Sequence, residues 1–158
     1  PRRGENFVSQ KIVEGVKKIF AKEISCLSLG NLNARRDWGH AKDYVRSMQL
    51  ILNHKVPKDW VIATGESHSV RDFVIAAFKQ LEIEVAFQGV GMKEIATVTK
   101  SENSNIQIGQ VVVKVDERFF RPMEVDYLTG NPGRAKSELG WEPHYTFEDL
   151  VSEMIHGE

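Results

Sequence analysis

The sequence has 158 residues, room for one compact domain and too few for a comfortable two-domain enzyme. Its 21 Lys and Arg nearly cancel 22 Asp and Glu, leaving a net charge of −1, which argues against a sequence-blind binder of polyanions. Hydrophobic residues at 41% and charged residues at 27% are the balance of a core-forming globular chain, and no apolar run approaches the roughly 20 residues of a membrane span.

From Asn6 to Lys22, apolar Val8, Ile12, Val16, Ile19 and Phe20 recur at spacings of three and four, which predicts an amphipathic helix with Lys11, Glu14, Lys17 and Lys18 off its apolar face. Ile24 to Leu29 reads as a strand closed by Gly30-Asn31. Ala41 to Asn53 returns to helical register through Ala41, Tyr44, Val45, Met48, Ile51 and Leu52, and Pro57-Lys58-Asp59 breaks the pattern. Trp60 to Thr64 reads as a buried strand ended by Gly65. Val70, Phe73, Val74, Ala77, Phe78 and Leu81 mark the clearest helix, with Ser69 as N-cap and Asp72 completing a capping-box variant.

Val85 to Phe87 reads as a strand, Gly89 to Gly109 as poorly patterned with a mobile loop over Thr99–Asn105, and Gln110 to Asp116 as a β-branched strand. Asn131-Pro132 starts a helix with Pro at its first position and Gly140 ends it, and Thr146 caps a last helix with an apolar face of Phe147, Leu150, Val151, Met154 and Ile155. Helices alternating with short strands, without internal repeats, give an α/β class.

Several chemistries are missing from the sequence. Gly89-Val90-Gly91 lacks the third glycine and the following helix of a dinucleotide fingerprint, and no G-x-x-x-x-G-K-S/T loop occurs. His40, His54, His68, His144 and His156 are scattered without metal-ligand spacing, so no metal is expected. Tyr44, Tyr127 and Tyr145 are followed four residues on by Met48, Asn131 and Asp149, never by the Lys of a short-chain dehydrogenase proton relay. A full redox active site is therefore not expected, no catalytic residue is nominated, and the chain reads as a binding lobe. Cys26 stands alone, which excludes an intramolecular disulfide and favours a reducing, cytoplasmic setting. The start at Pro1-Arg2-Arg3-Gly4, without an initiator Met, is expected to mark a fragment or processed product.

Arg lies beside aromatic or turn residues in three places: Arg2-Arg3-Gly4, Arg35-Arg36-Asp37-Trp38, and Arg118-Phe119-Phe120-Arg121-Pro122-Met123-Glu124. A planar guanidinium makes paired, charge-assisted hydrogen bonds to phosphate, and a diphosphate could draw in two of them. Glu124, three residues past Arg121, could accept hydrogen bonds from a pair of sugar hydroxyls. On residue type alone the blander alternatives stay open: Arg36-Asp37 as a surface or structural ion pair, Trp38 and Trp141 as core or interface aromatics, His40 as a loop or capping histidine, and Cys26 as a small buried hydrophobe within its strand.

Arg2-Arg3-Gly4-Glu5-Asn6-Phe7-Val8, Leu29-Gly30-Asn31-Leu32-Asn33-Ala34-Arg35-Arg36-Asp37-Trp38-Gly39-His40-Ala41-Lys42-Asp43-Tyr44-Val45, Ile62-Ala63-Thr64-Gly65-Glu66 with Ser69-Val70-Arg71, and Phe120-Arg121-Pro122-Met123-Glu124-Val125-Asp126 resemble, in order, the GDP-mannose 4,6-dehydratase family. Ala135-Lys136-Ser137-Glu138-Leu139-Gly140-Trp141-Glu142-Pro143 resembles a signature shared more widely by extended short-chain dehydrogenases acting on nucleotide sugars.

The resemblance implies an α/β fold of helices with short strands: the small C-terminal substrate-binding lobe, its N-terminal NADP-binding Rossmann half absent, so that residues 1–158 form a single nucleotide-sugar-binding domain. The implied reaction of the intact enzyme removes water from GDP-mannose to give GDP-4-keto-6-deoxymannose, on the way to GDP-fucose and other deoxyhexoses, with NADP taking up and returning a hydride. It implies Arg3 at the cofactor, Val8 and Lys11 lining the guanine-nucleotide pocket, Arg36 facing the nucleotide, Arg121 on the diphosphate beside it, and Glu124 on the ribose hydroxyls. GDP-mannose is the implied partner, with no nucleic acid or membrane, and the intact enzyme a homo-oligomer. The chain departs from the family where Ser9-Gln10-Lys11 replaces the common Thr-Arg-Lys and where Met123 replaces Thr, and the region Gly89 to Gly109 matches poorly. By itself the lobe is expected to be inactive. The alternatives are the same lobe of a nucleotide-sugar reductase or epimerase, or a stand-alone interaction module.

Overall fold

A computed structural model describes residues 4, 6–120 and 123–157. Its helices and strands follow the chain as α1 (Val8–Phe20), β1 (Leu27–Leu29), β2 (Arg35–Arg36), α2 (Ala41–Leu52), β3 (His68–Ser69), α3 (Val70–Lys79), β4 (Ile83–Gln88), β5 (Ile95–Ser101), β6 (Val111–Val115), α4 (Gly133–Leu139) and α5 (Phe147–His156). They gather into two compact units, the first of residues 1–34, 69–124 and 151–158, the second of residues 35–68 and 125–150.

The first unit is built on a four-stranded sheet in the order β1-β6-β5-β4. β1 runs parallel to β6, pairing Leu27 with Val113 and Leu29 with Val115, while β4, β5 and β6 are antiparallel neighbours with register shifts at Glu84/Val85 and Ala96/Thr97. The periodic apolar residues of α1 (Ile12, Val13, Val16, Ile19) and of α3 (Phe73, Val74, Ala77, Phe78) are all buried, as are Leu27, Leu29, Ile83, Val98, Val112 and Val113 of the sheet. The two helices pack on each other and onto β1 and β4. Burial of this apolar face, at ~25 cal/mol per Å², is what turns a helical sequence pattern into a stable helix.

The start of α3 is fixed twice. Ser69 Oγ accepts from Asp72 N–H at 3.0 Å while Ser69 N–H donates to the Asp72 carboxylate at 2.8 Å, the expected capping box. One residue into the helix, Arg71 donates through Nε (2.9 Å) and Nη2 (2.5 Å) to Glu94 Oε1 and through Nη2 to Asn33 Oδ1 (2.8 Å), and Glu94 is only 5% exposed. A carboxylate so buried is tolerated because its charge meets a forked donor at once.

The second unit is organised by aromatic rings and two aspartates. Trp141 is buried and its indole N–H donates to Asp43 O at 2.9 Å; the Asp43 carboxylate, itself buried, accepts from His144 N–H (3.0 Å) and Tyr145 N–H (3.1 Å). His40 serves as the N-cap of α2, accepting from Lys42 N–H, and its ring stacks on Tyr145 with centroids 4.1 Å apart. The capping reading of His40 and the core reading of Trp141 thus hold. Gly140 ends α4 at φ 64°, a left-handed conformation glycine adopts without cost.

Other expectations need correction. Trp60–Thr64 is not a strand: its β-branched run suits a ladder, but Thr64 N–H donates to the Asp37 side chain instead, and Val61 stays exposed. The first strand begins only at Leu27, where pairing with Val113 starts, so Cys26 lies outside it and is half-buried; that burial pushes its thiol pKa up, with Lys114 opposing. The poorly patterned stretch 89–109 contains a 3-10 turn (Gly91–Lys93) and all of β5, held between β4 and β6. Pro132 is the N-cap of α4 and not its first helical residue. Much of the apolar stripe of α2 does not reach a core: Asp43 and Ser47 are its buried residues, Val45, Met48 and Leu52 are exposed, and Tyr44 is half-buried with its ring 6.4 Å from that of Trp141.

Candidate functional site

Arg3 and Arg121 lie outside the described residues, so the structure addresses Val8, Lys11, Arg36 and Glu124. Val8 opens α1 and Lys11 lies one turn later on the same side of the helix, both half-buried. The Lys11 ammonium sits 3.0 Å from the centroid of the Phe119 ring, a cation–π contact. Phe119 reaches it from a 3-10 turn (Glu117–Phe119) that follows β6, and Gly30 lets that turn approach, because a Cβ there would stand 2.1 Å from Phe119 O.

The electrostatics around Lys11 are specific. Burial lowers its pKa below the ordinary 10.5, the negative charge of Asp116 opposes this, and the positive charge of Arg118 adds to it. Asp116 is bound by Arg118, Nη2 to Oδ2 at 2.8 Å and Nε to Oδ1 at 3.1 Å, and accepts Arg118 N–H at 3.0 Å. Those hydrogen bonds hold its carboxyl at about 2 and raise the Arg118 guanidinium. Asp116 is thereby engaged with Arg118, and Lys11 is a partly desolvated cation that an incoming anion would stabilise.

In the second unit Arg36 occupies the two-residue strand β2. Its Nη1 donates to Arg35 O at 2.8 Å and to Val125 O at 2.5 Å, which fixes the guanidinium against the returning segment. Arg35 pairs with Tyr127 in a parallel bridge, Arg35 N–H to Asp126 O at 2.7 Å and Leu128 N–H to Arg35 O at 3.1 Å. The neighbouring Asp37, read as half of an ion pair, accepts four other donors: Thr64 N–H (2.9 Å), Thr64 O–H (2.7 Å), Gly65 N–H (3.0 Å) and Gly130 N–H (3.2 Å). Glu124 is half-buried, and the adjoining Met123 is 94% exposed.

Sequence reasoning missed Phe119 as the partner of Lys11 and Asp37 as a clamp, since both roles depend on residues distant in the chain. It also missed a cleft of about 270 Å³ in the second unit, lined by Trp38, His68, Tyr145 and Phe147 among others and by none of the nominated residues. The His68 and Phe147 rings stack there at 3.9 Å and 7°. The run of ring-bearing residues after Pro143 (His144, Tyr145 and Phe147) was the available signal.

Among the described residues no group of three or more His, Cys, Asp or Glu could hold a metal ion, and no helix is long and apolar enough to cross a membrane. Nor does a glycine-rich loop join a strand to a helix N-terminus, so the described residues do not fit the diphosphate of a dinucleotide cofactor.

A family model described as GDP-mannose 4,6 dehydratase matches residues 1–154. The chain is 48% identical over 155 residues to the GDP-mannose 4,6 dehydratase of Drosophila melanogaster and 46% identical over 158 residues to that of Homo sapiens, covering 98% and 100% of this chain but 38% and 41% of those proteins. It is 45% identical over 161 residues to the GDP-mannose 4,6-dehydratase of Yersinia enterocolitica, 43% of whose length it spans. Among solved structures, RMD from Pseudomonas aeruginosa, complexed with NADPH, superposes with a TM-score of 0.74 at 13% identity, over 99% of this chain and 43% of that one. dTDP-glucose 4,6-dehydratase from Bacillus anthracis, in complex with NAD, gives 0.65 at 18% identity, over 99% and 40%. These two likenesses bear on the fold alone.

Proposed function

The chain belongs to the GDP-mannose 4,6-dehydratase family, and from that premise we propose that its 158 residues are the nucleotide-sugar-binding part of an enzyme converting GDP-mannose to GDP-4-keto-6-deoxymannose. One observation carries the reading: the match takes in nearly all of this chain yet only 38–43% of the relatives' length.

Val8 and Lys11 line the guanine-nucleotide pocket, Arg36 and Arg121 supply positive charge for the diphosphate, and Glu124 accepts the ribose hydroxyls. The partly desolvated Lys11 ammonium on Phe119 supports its part, since such a cation gains from an anion more than a fully hydrated one does. The carbonyl-anchored guanidinium of Arg36 supports the second, because a fixed fork loses little freedom on binding phosphate. NADP is held mainly by parts of the family protein beyond these residues, and Arg3 is the residue of this chain that meets it. The intact enzyme works as a homo-oligomer in the cytoplasm, a setting that suits the single Cys26.

This chain alone is expected to bind GDP weakly and to turn over no GDP-mannose. Titration calorimetry with GDP against ADP tests the binding, with heat expected for GDP; no heat for either nucleotide would leave an interaction module. Measurable dehydration of GDP-mannose by the purified chain would overturn the binding-part reading.

A further inference from the structure

We infer that Asp37 is a positioning residue for the diphosphate subsite, holding Arg36 at the angle from which it meets the phosphates; this rests on the GDP-binding reading of Arg36. A strand of two residues cannot hold its own register, and β2 relies on its neighbours for it. The bridge between Arg35 and Tyr127 and the Arg36 bond to Val125 O join it to the segment 125–128. Asp37, the next residue, accepts Gly130 N–H from the end of that returning segment, and Thr64 and Gly65 N–H from a third stretch of chain. One carboxylate thus ties three segments separated by 27 and 93 residues.

The chemistry of the clamp is that of a carboxylate. Each oxygen accepts two donors, Thr64 N–H and O–H on Oδ1 and the Gly65 and Gly130 N–H groups on Oδ2. An asparagine of the same shape has one acceptor oxygen, so its amide nitrogen would face either the Thr64 N–H or the Gly65 and Gly130 N–H groups and release that side of the clamp. The charge of Asp37 is also spread over four framework dipoles, a use in which it sets geometry and does not serve as the counter-ion of the arginine beside it.

The test follows GDP and guanosine titrations of the whole chain by NMR chemical-shift changes, in the wild type, D37N, R36Q and the double variant. D37N is expected to raise the GDP dissociation constant about fivefold, the equivalent of one disrupted hydrogen-bonded contact, while leaving guanosine unaffected. The double variant is expected to bind GDP no worse than R36Q, since Asp37 acts through Arg36. Should D37N fail to fold, T64V, which removes the hydroxyl that donates to Asp37 and accepts Glu66 N–H, carries the test with an expected loss of about twofold. GDP affinity unchanged in a folded D37N or T64V, an equal loss for guanosine, or losses that multiply in the double variant would each overturn the inference. A wild-type chain that binds no GDP would instead overturn the binding reading, and the positioning role with it.

Discussion

At the scale of single residues, the placement of Lys11 has a consequence in protons. Burial depresses its pKa in the free chain, and an anion brought against it would raise the pKa again. GDP binding should therefore take up a proton on the alkaline side, where the free Lys11 ammonium titrates below its ordinary value, and weaken as the pH climbs through that range. Calorimetry in two buffers of different ionisation enthalpy reads the proton directly, and K11M should abolish it. Phe119 holds the ammonium by its ring face, so F119L is expected to weaken GDP binding about two- to fivefold, the worth of a cation–π contact near the surface. His40 and Ser69 were legible as caps because a cap and its amide lie within three residues of each other. Asp37 was not, because a carboxylate beside an arginine looks like an ion pair until its partners at 64, 65 and 130 are known.

At the scale of elements, the same distinction separates helices from strands. α3 carries its own start signal and its own apolar stripe, and both act as the pattern predicts. S69A should cost about 1 kcal/mol in urea unfolding, typical of a lost N-cap. G140A, at φ 64°, should cost about 1–2 kcal/mol for a side chain forced into left-handed backbone. Strands have no such local signature. β5 is rich in β-branched residues (Ile95, Thr97, Val98, Thr99) and forms because neighbours on both sides satisfy its backbone, whereas Trp60–Thr64, of similar composition, forms none. α2 shows the limit of periodicity: its apolar residues keep helical spacing, yet M48K should change stability by less than about 0.5 kcal/mol because Met48 is 58% exposed.

At the scale of the whole molecule, stability should fall on the acid side. Asp116 titrates at about 2 in the folded chain against an ordinary 3.8, and the carboxyls of Asp149 and Glu138 are also lowered, by the Thr146 bonds and by Lys58. A carboxyl whose folded pKa is depressed contributes stability that is complete above its unfolded value and lost as the pH drops through the folded one. The thermal midpoint should accordingly hold near neutrality and decline from about pH 4 toward pH 2, and D116N should flatten the lower part of that decline. The amino-acid sequence by itself determined the helices, the caps of α2 and α3, the family and the identity of the charged residues offered to a nucleotide, because each of these is written in neighbouring residues or in an ordered set of motifs. Only the tertiary structure decided that Lys11 rests on Phe119, that Asp37 clamps three segments, which face of α2 is buried and where the strands pair. Those outcomes depend on which distant groups meet, and a hydrogen bond or a ring contact spanning 90 residues leaves no trace in local spacing.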